Sequence, residues 1–366
     1  MKLIIVLLIA VIFIALAIIN YDGNDFESDG TILNYDFDNC QGVFETGDGN
    51  LFFCAKNYVK FLNHNSDEKW SIDVNFSEPV ISHDKKFLAM SDMKTNSIFV
   101  YSDKGELYSI KDENKLLAFC VNSSGYCSSI SKDNSTYKIN VYNPSGDKIL
   151  TYVHSEENVF PVNTAVSPDG KILAISYIDT NNINIDSKIT FMYTNQNDIF
   201  ASVQKKDNFA CGLNFLSNHD IIIVSDDNIT CEYFTQNNLN EKWNLDFEKK
   251  LDAIDFNNDF IAVKLIADKS GKDSQSNIKF YNMSGKNIGE FKSDEQYNYF
   301  KVSAKNNCVM LGSMNDFIAV NTNGKILWEY NAQGEQKFAA FLDKPNKILF
   351  VSSTKAYIVN VKGKGE

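Results

Sequence analysis

A short segment recurs eight times along the chain and constrains its fold more than any other feature. In each copy a turn and a charge lead into apolar residues, often with an aromatic. The copies begin at Gly30, Glu68, Gly105, Asp147, Asp198, Glu241, Lys286 and Gly324. A spacing of about 40 residues is typical of the four-stranded blades of a β-propeller. The repeat therefore predicts an all-β propeller in which each copy supplies the outer strand of one blade.

Counting strands predicts how many blades there are. Apolar runs after turns such as Ser167-Pro168-Asp169-Gly170 supply the other three strands of each blade. Residues 337–361 supply only three strands, whereas residues 31–37 form a strand that lacks a blade. Joining the two gives an eight-bladed propeller closed by its N-terminal strand, which hides both sheet edges. Seven blades is the alternative, because the copy at Asp198 is degenerate.

One blade carries a family signature. Residues 320–328 read Val-Asn-Thr-Asn-Gly-Lys-Ile-Leu-Trp, which matches the pattern Thr-Gly-Lys-x-x-Trp apart from Asn323. In this motif the chain resembles the bacterial quinoprotein-like eight-bladed propellers, and the resemblance implies that Trp70, Trp243 and Trp328 pack between blades. With its apolar start, the chain also resembles a bacterial family of signal-anchored exported propellers that has no assigned activity. The resemblance covers residues 31–361 and implies architecture only.

The start of the chain predicts a membrane span. Residues 3–19 are apolar and uncharged, and as a helix they would be roughly 25 Å long, within the range of membrane spans. Lys2 before the run and carboxylates after it predict a cytoplasmic N-terminus with the propeller outside. We therefore expect a transmembrane signal-anchor (residues 1–20), a short acidic linker (21–30) and a propeller (31–366). The alternative is secretion after cleavage at Ala17, because Ala15-Leu16-Ala17 has the small-x-small form.

The charge balance predicts which partners the chain avoids. With 35 basic and 47 acidic side chains, the net charge is −12, which would repel nucleic acid. For an exported propeller the expected partner is instead a cell-envelope protein or a wall polymer, with the membrane contacted through the N-terminal helix.

Motifs for catalysis and for metal or cofactor binding are missing from the sequence. It contains no His-Glu-x-x-His, no Cys-x-x-Cys and no Gly-x-Ser-x-Gly. His83 and His219 occupy predicted hairpin turns, where we expect structural roles. The sequence therefore predicts no catalytic residue, no metal and no cofactor.

Two of the seven cysteines raise the question of a disulfide. Cys120 and Cys127 flank the turn Asn122-Ser123-Ser124-Gly125 symmetrically, so we expect them to face each other across a hairpin. In an exported protein such a pair could be oxidised. The alternative is that both are small buried apolar residues.

Two long polar loops mark the expected recognition surface. Both join the second and third strands of a blade, in the fourth and sixth blades, and therefore share one face. The candidate partner-binding residues are Asp179, Asn181, Asn182, Asn184, Asp186, Asp268, Lys269, Lys272 and Asp273. The sequence thus favours a non-enzymatic binding platform tethered outside the cytoplasm. The alternative is an exported enzyme that acts on a glycan or peptide at the channel mouth, which would show as carboxylates or His clustered at the inner strand ends with shifted pKa values.

Overall fold

The computed structural model describes residues 26–33, 39–235, 238–266 and 276–363, with only the backbone of 26–33. The expected membrane span, most of the acidic linker and the loop carrying Asp268, Lys269, Lys272 and Asp273 lie outside these residues. Within the described ranges, no helix is long and apolar enough to cross a membrane.

Eight antiparallel four-stranded sheets form the described part of the chain, which confirms the eight-bladed propeller. Blades 1 to 4 comprise β2 (Cys40–Glu45), β3 (Leu51–Ala55), β4 (Tyr58–Leu62) and β5 (Glu68–Asp73); β6 (Pro79–Asp84), β7 (Phe87–Asp92), β8 (Ser97–Ser102) and β9 (Gly105–Lys111); β10 (Lys115–Val121), β11 (Cys127–Asp133), β12 (Thr136–Tyr142) and β13 (Lys148–His154); and β14 (Val159–Val166), β15 (Ile172–Asp179), β16 (Asp186–Tyr193) and β17 (Ile199–Lys205). Strand β17 pairs with β16, so the degenerate copy at Asp198 is a true outer strand and the seven-bladed alternative is wrong.

The remaining strands complete blades 5 to 8. They are β18 (Ala210–Phe215), β19 (Asp220–Ser225), β20 (Asn228–Thr235) and β21 (Asn238–Asp246); β22 (Leu251–Phe256), β23 (Phe260–Leu265), β24 (Ser276–Asn282) and β25 (Asn287–Ser293); β26 (Tyr299–Val302), β27 (Cys308–Ser313), β28 (Asp316–Asn321) and β29 (Ile326–Asn331); and β30 (Gln336–Phe341), β31 (Lys347–Ser352) and β32 (Ala356–Val361) with β1 (Phe26–Leu33). Within each blade the first strand lies nearest the axis of the ring.

Strand β1 lies earlier in the chain than the sequence predicts. It pairs antiparallel with β32, with Phe26 opposite Val361 and Leu33 opposite Ala356. Ala356 is the first residue of β32, where the described pairing ends. The predicted strand at residues 31–37 therefore begins five residues too late, and its end falls in residues 34–38, outside the described ranges.

Apolar packing between neighbouring blades forms the core. Each of eight buried clusters combines side chains from two adjacent blades. Successive residues of a strand point to opposite faces, so Leu51 in β3 joins a cluster with blade 8, while Phe52 joins one with blade 2. Because both faces of the strand are covered, β3 is apolar throughout. Blades 1 and 8 pack together in the same way as the others.

The three tryptophans lie on outer strands and reach the next blade. The indole Nε1 of Trp70 donates to the Asp103 carbonyl at 3.0 Å, that of Trp243 to Met283 at 3.1 Å, and that of Trp328 to Pro345 at 2.7 Å. Each acceptor belongs to the following blade. The packing implied by the resemblance is therefore confirmed.

Three of the turns before outer strands, in blades 3, 6 and 7, share one geometry. The Asn143 side-chain oxygen accepts from the backbone N–H groups of Ser145 and Asp147, both at 2.9 Å, and Asn282 and Asn321 form the same pair of bonds. The glycine three residues after each Asn has a positive φ of 77° to 83°, which glycine adopts without steric cost.

Gly324 provides a test of how closely blades 6 and 7 approach. Its φ is +78°, and a Cβ there would lie 2.1 Å from the Glu290 carbonyl oxygen, whereas Gly334 has φ +81° and nothing within 4 Å. Both substitutions to Ala introduce left-handed strain of about 1–2 kcal/mol, but only Gly324→Ala also forces the blades apart. We expect Gly324→Ala to lower the free energy of unfolding in urea by about 1–3 kcal/mol more than Gly334→Ala. Equal losses would show that the approach is not tight.

Candidate functional site

The ring leaves a cavity of about 440 Å³ at one end of its central channel. It is lined by the ends of first strands and the following turns of seven blades, on the face that carries the first-to-second and third-to-fourth turns, here called the turn face. The opposite face, here called the loop face, carries the second-to-third loops and the connections between blades. The long loop that the structure describes, residues 180–185, therefore lies opposite the mouth of the cavity.

Glu45 connects two blades beside this cavity. It ends β2 in blade 1, yet its Oε2 accepts a hydrogen bond from the backbone N–H of Ala304 in blade 7, at 3.0 Å. The residue is 5% exposed, and its Oε1 has no hydrogen-bond partner. A buried polar atom left unpaired is costly. Glu45 therefore has one carboxyl oxygen that could form a hydrogen bond to a ligand in the cavity.

Asp255 and Lys301 form a satisfied pair next to Glu45. The Lys301 Nζ lies 3.0 Å from Asp255 Oδ2, which also accepts from the Val302 backbone N–H at 2.8 Å. The Asp255 charge raises the pKa of Lys301 above its ordinary value. Asp255 and Lys301 are thus an ion pair between blades 6 and 7 whose charges balance.

Burial shifts two further titratable groups to their neutral forms. Burial raises the pKa of Glu45 to about 8, against the opposing effects of the Ala304 N–H and the Lys301 charge. Burial and the Lys301 charge lower the pKa of His83 to about 4. At pH 7 both side chains are therefore mainly uncharged. Carboxyl and imidazole groups with displaced pKa values in a cleft are typical of functional sites.

The sequence predicted His83 to lie in a hairpin turn, but it lies in a strand. It belongs to β6, because the turn that follows uses only Lys85 and Lys86, with Lys85 at φ +52°. Its ring lies 5.4 Å from that of Phe44, and its Nε2 is 3.1 Å from the Lys85 carbonyl oxygen. The predicted turn position is wrong, and His83 lines the cavity instead.

On the loop face, the structure describes one of the two long loops, residues 180–185, which joins β15 and β16. Asp179 pairs with Asp186 across the hairpin, and both carboxylates accept bonds from loop amides: Asn181 N–H to Asp179 at 3.0 Å and Asn182 Nδ2 to Asp186 at 3.0 Å. These four polar residues thus hold the loop in shape, while Asn184 is exposed.

Sequence reasoning missed the apolar side chains of this loop. Ile183 is fully exposed and Ile185 is 53% exposed. Residues 182–186 alternate polar and apolar side chains, a pattern that suits a half-buried strand, so no clear signal in the sequence showed that the two isoleucines would be exposed.

Cys120 and Cys127 do not face each other. The turn between them uses five residues, since the Asn122 N–H donates to the Tyr126 carbonyl. Cys127 therefore lies opposite Val121, while Cys120 lies opposite Ser128. Neighbouring residues of a strand point to opposite faces, so the expectation of a facing pair is wrong by one position. Both are free thiols, and burial raises the pKa of Cys120 to about 11.

In the described ranges, no group of three or more His, Cys, Asp or Glu side chains is placed to hold a metal ion. His154 lies on the outer strand β13, buried against Tyr177 at a ring distance of 4.6 Å, where its Nε2 is 2.9 Å from the Val159 carbonyl oxygen. Its role is structural.

Comparison with known proteins identifies a family and a fold. The family described as a family of unknown function (DUF5711) matches residues 23–361. No curated protein matches the chain by sequence. Among solved structures, the C-terminal WD40 domain of Sif2 has a TM-score of 0.63 at 10% identity, covering 93% of this chain and 99% of that one.

Two further propellers are similar over the same extent. BamB from Moraxella catarrhalis has a TM-score of 0.53 at 12% identity. Sqt1 from Chaetomium thermophilum, in complex with the N-terminus of the ribosomal protein L10, has a TM-score of 0.55 at 11% identity. Each comparison covers 92% of this chain and 99% of the other. At these identities the likeness shows the fold alone.

The shifted pKa of Glu45 predicts how stability depends on pH. The native state binds a proton there that the unfolded chain releases near its ordinary pKa, so this stabilisation is complete below about pH 4.5 and is lost as pH rises through about 8. Between pH 5 and 8 we expect wild type to lose stability relative to Glu45→Gln, on the order of 1 kcal/mol per pH unit. Chemical unfolding of both proteins across this range measures the difference. A difference independent of pH would contradict a buried neutral Glu45.

Proposed function

For this chain, which belongs to the DUF5711 family of unknown function, we propose a role as a non-enzymatic binding platform of the bacterial cell envelope. The propeller is held at the outer side of the cytoplasmic membrane by residues 1–20. Its loop face binds a protein or polymer of the envelope. The single observation that carries the proposal is the exposed apolar tip, Ile183 and Ile185, presented by a polar loop on a rigid ring.

The fold supports this role. A closed ring of eight blades holds its surface loops in fixed relative positions, which suits recognition by loops on a rigid scaffold. Strand β1 supports the closure, because its pairing with β32 would shield the last blade's edge. Sqt1, which has a similar ring, is seen with a bound protein N-terminus.

The loop face offers an apolar surface as well as polar groups. Besides Ile183 and Ile185, this face carries Ile266 after β23, which is 44% exposed, and Met314 between β27 and β28, which is 72% exposed. Exposed apolar side chains at a protein surface, rimmed by polar residues, are typical of interaction sites. Asp179, Asn181, Asn182 and Asp186 then fix the loop, and Asn184 lies beside the apolar tip. In this proposal Asp268, Lys269, Lys272 and Asp273 of the second loop extend the same surface.

The export of the protein rests on its sequence. The apolar run at residues 3–19, with Lys2 before it and carboxylates after it, supports a signal-anchor whose N-terminus faces the cytoplasm. Cleavage after Ala17 and secretion is the alternative. In either case the propeller would lie outside the cytoplasm.

A second candidate function is favoured by the cavity on the turn face. Glu45 and His83 lie at inner strand ends and have displaced pKa values, which is the arrangement expected of an exported enzyme acting on a glycan or peptide. Incubation of wild type and Glu45→Gln with envelope polysaccharide and peptides, followed by mass spectrometry of products, tests it. Products formed by wild type but not by the variant would favour the enzyme.

Replacing the described loop tests the binding platform. Asp179 and Asp186 are paired, so residues 180–185 can be replaced by an Asn-Gly turn, which suits a two-residue hairpin. We expect the variant to melt within a few degrees of wild type and to lose its envelope partner in crosslinked cell extracts. The control is Leu107→Ser, which removes a partly exposed apolar side chain, 41% exposed, from an outer strand. Retention of the partner by the loop variant would refute the proposal.

Cell fractionation tests the tether. We expect the full chain in the membrane pellet, with the propeller degraded by protease added outside protoplasts, because residues 1–20 would span the membrane. A chain that begins at residue 21 should remain in the cytoplasm and be protected. Protection of the full-length protein would refute export.

A further inference from the structure

We infer that the cavity on the turn face binds a neutral saccharide, with Glu45 as the central hydrogen-bonding group. This site lies on the face opposite the loops, so it stands or falls independently of the platform proposed above.

The strongest evidence is the unpartnered oxygen of Glu45. The carboxyl is held by the Ala304 N–H at Oε2 and by the Ser303 side chain, whereas Oε1 is buried, has no partner and belongs to a residue that lines the cavity. A protonated carboxyl donates one hydrogen bond and also accepts. A ligand hydroxyl can accept from it or donate to it, so a hydroxyl satisfies this group in either protonation state.

The charges around the cavity favour a ligand without net charge. Lys301 is paired with Asp255 at 3.0 Å, and Lys242 is paired with Asp220 at 3.2 Å. All four residues line the cavity, together with the oppositely charged neighbours Asp84 and Lys85. Because these charges are already balanced, a charged ligand would leave its own charge unpaired, which is costly in a buried site.

A cationic ligand is specifically disfavoured. The Lys301 ammonium acts electrostatically on both Glu45 and His83, so it lies close to the group that a ligand ammonium would have to reach. Its positive charge would repel a second cation there. The unpaired Glu45 oxygen is therefore better matched by a hydroxyl than by an amine.

The rest of the lining suits the two kinds of surface on a sugar ring. Side-chain amides of Asn214 and Asn258 can each donate and accept hydrogen bonds to hydroxyl groups. Phe215, Phe256 and Leu213 offer apolar surface for the C–H face of a ring. The volume of about 440 Å³ falls within the usual range for small-ligand sites, about 300–1,000 Å³, and would accept a short saccharide or the end of a longer chain.

The experiment compares sugars that differ by one group. Saturation-transfer NMR and calorimetry would be carried out at pH 7 with the full chain in detergent. Glucose, galactose, N-acetylglucosamine and their disaccharide methyl glycosides would serve as neutral probes. Glucosamine and glucuronate are the charged analogues. Tighter binding of a disaccharide glycoside than of its monosaccharide would indicate a polymer end as the natural ligand. The reverse would indicate a free sugar.

Variants at Glu45 connect binding to the proposed contact. Glu45→Gln keeps both a donor and an acceptor, so a neutral sugar should bind within about threefold of wild type. Glu45→Leu keeps volume without hydrogen bonding and should weaken binding by about tenfold or more. Asn214→Leu, on another blade, provides a second test should Glu45→Leu fold poorly. Glu157→Gln, exposed on the loop face, is the control and should bind as wild type does.

Three results would overturn the inference. The first is that no neutral saccharide binds. The second is that glucosamine or glucuronate binds more tightly than glucose. The third is that neither Glu45→Leu nor Asn214→Leu, each checked by circular dichroism, weakens binding of the neutral probe.

Discussion

Apolar packing between adjacent blades is the interaction on which the rest of this structure depends. Each blade is a single four-stranded sheet with two apolar faces, and it can bury them only against the neighbouring blades. Leu51 and Phe52, adjacent in β3, show the arrangement: one packs against blade 8 and the other against blade 2. Loss of any one blade would expose two apolar faces, so the ring is stable only as a whole.

The ring also creates the site at its centre. Glu45, Asp255 and Lys301 are far apart in sequence and belong to blades 1, 6 and 7, yet the ring brings them to one end of the channel. The backbone N–H groups of Ala304 and Val302 donate to Glu45 and Asp255 respectively, and these bonds tie blade 7 to blades 1 and 6 there. The two faces thus differ in kind. The turn face holds a partly closed cavity with paired charges, whereas the loop face presents exposed apolar side chains.

Much of the fold could be predicted from sequence, because local chemistry sets it. A turn and a charge followed by apolar residues recur before the outer strands, so the repeat could be counted. The position of β1 was predicted poorly, because its bounds are set by pairing with Ala356–Val361 at the other end of the chain. The Cys120 and Cys127 pair was misplaced because a single added turn residue moves one strand relative to the other.

The candidate site was harder to predict from the sequence, because it too depends on contacts between residues that are far apart in the chain. Nothing near Glu45 in the sequence shows that it will be buried against blade 7, and only the ring reveals its unpaired oxygen. His83 was assigned to a turn because sister segments hold polar turn residues, whereas here the strand runs on through it. The exposure of Ile183 was not evident from the sequence, because residues 182–186 alternate polar and apolar side chains as a half-buried strand would.

The central claim is that the loop face is the surface that meets a partner in the cell. The most direct measurement is photo-crosslinking in living cells, with a photoreactive amino acid placed at Ile183 on the loop face or at Ser145, an exposed residue of the turn face outside the cavity. The account predicts a discrete adduct with an envelope protein or polymer from position 183 and none of comparable yield from position 145. Adducts from position 145 alone, or from neither position, would contradict it.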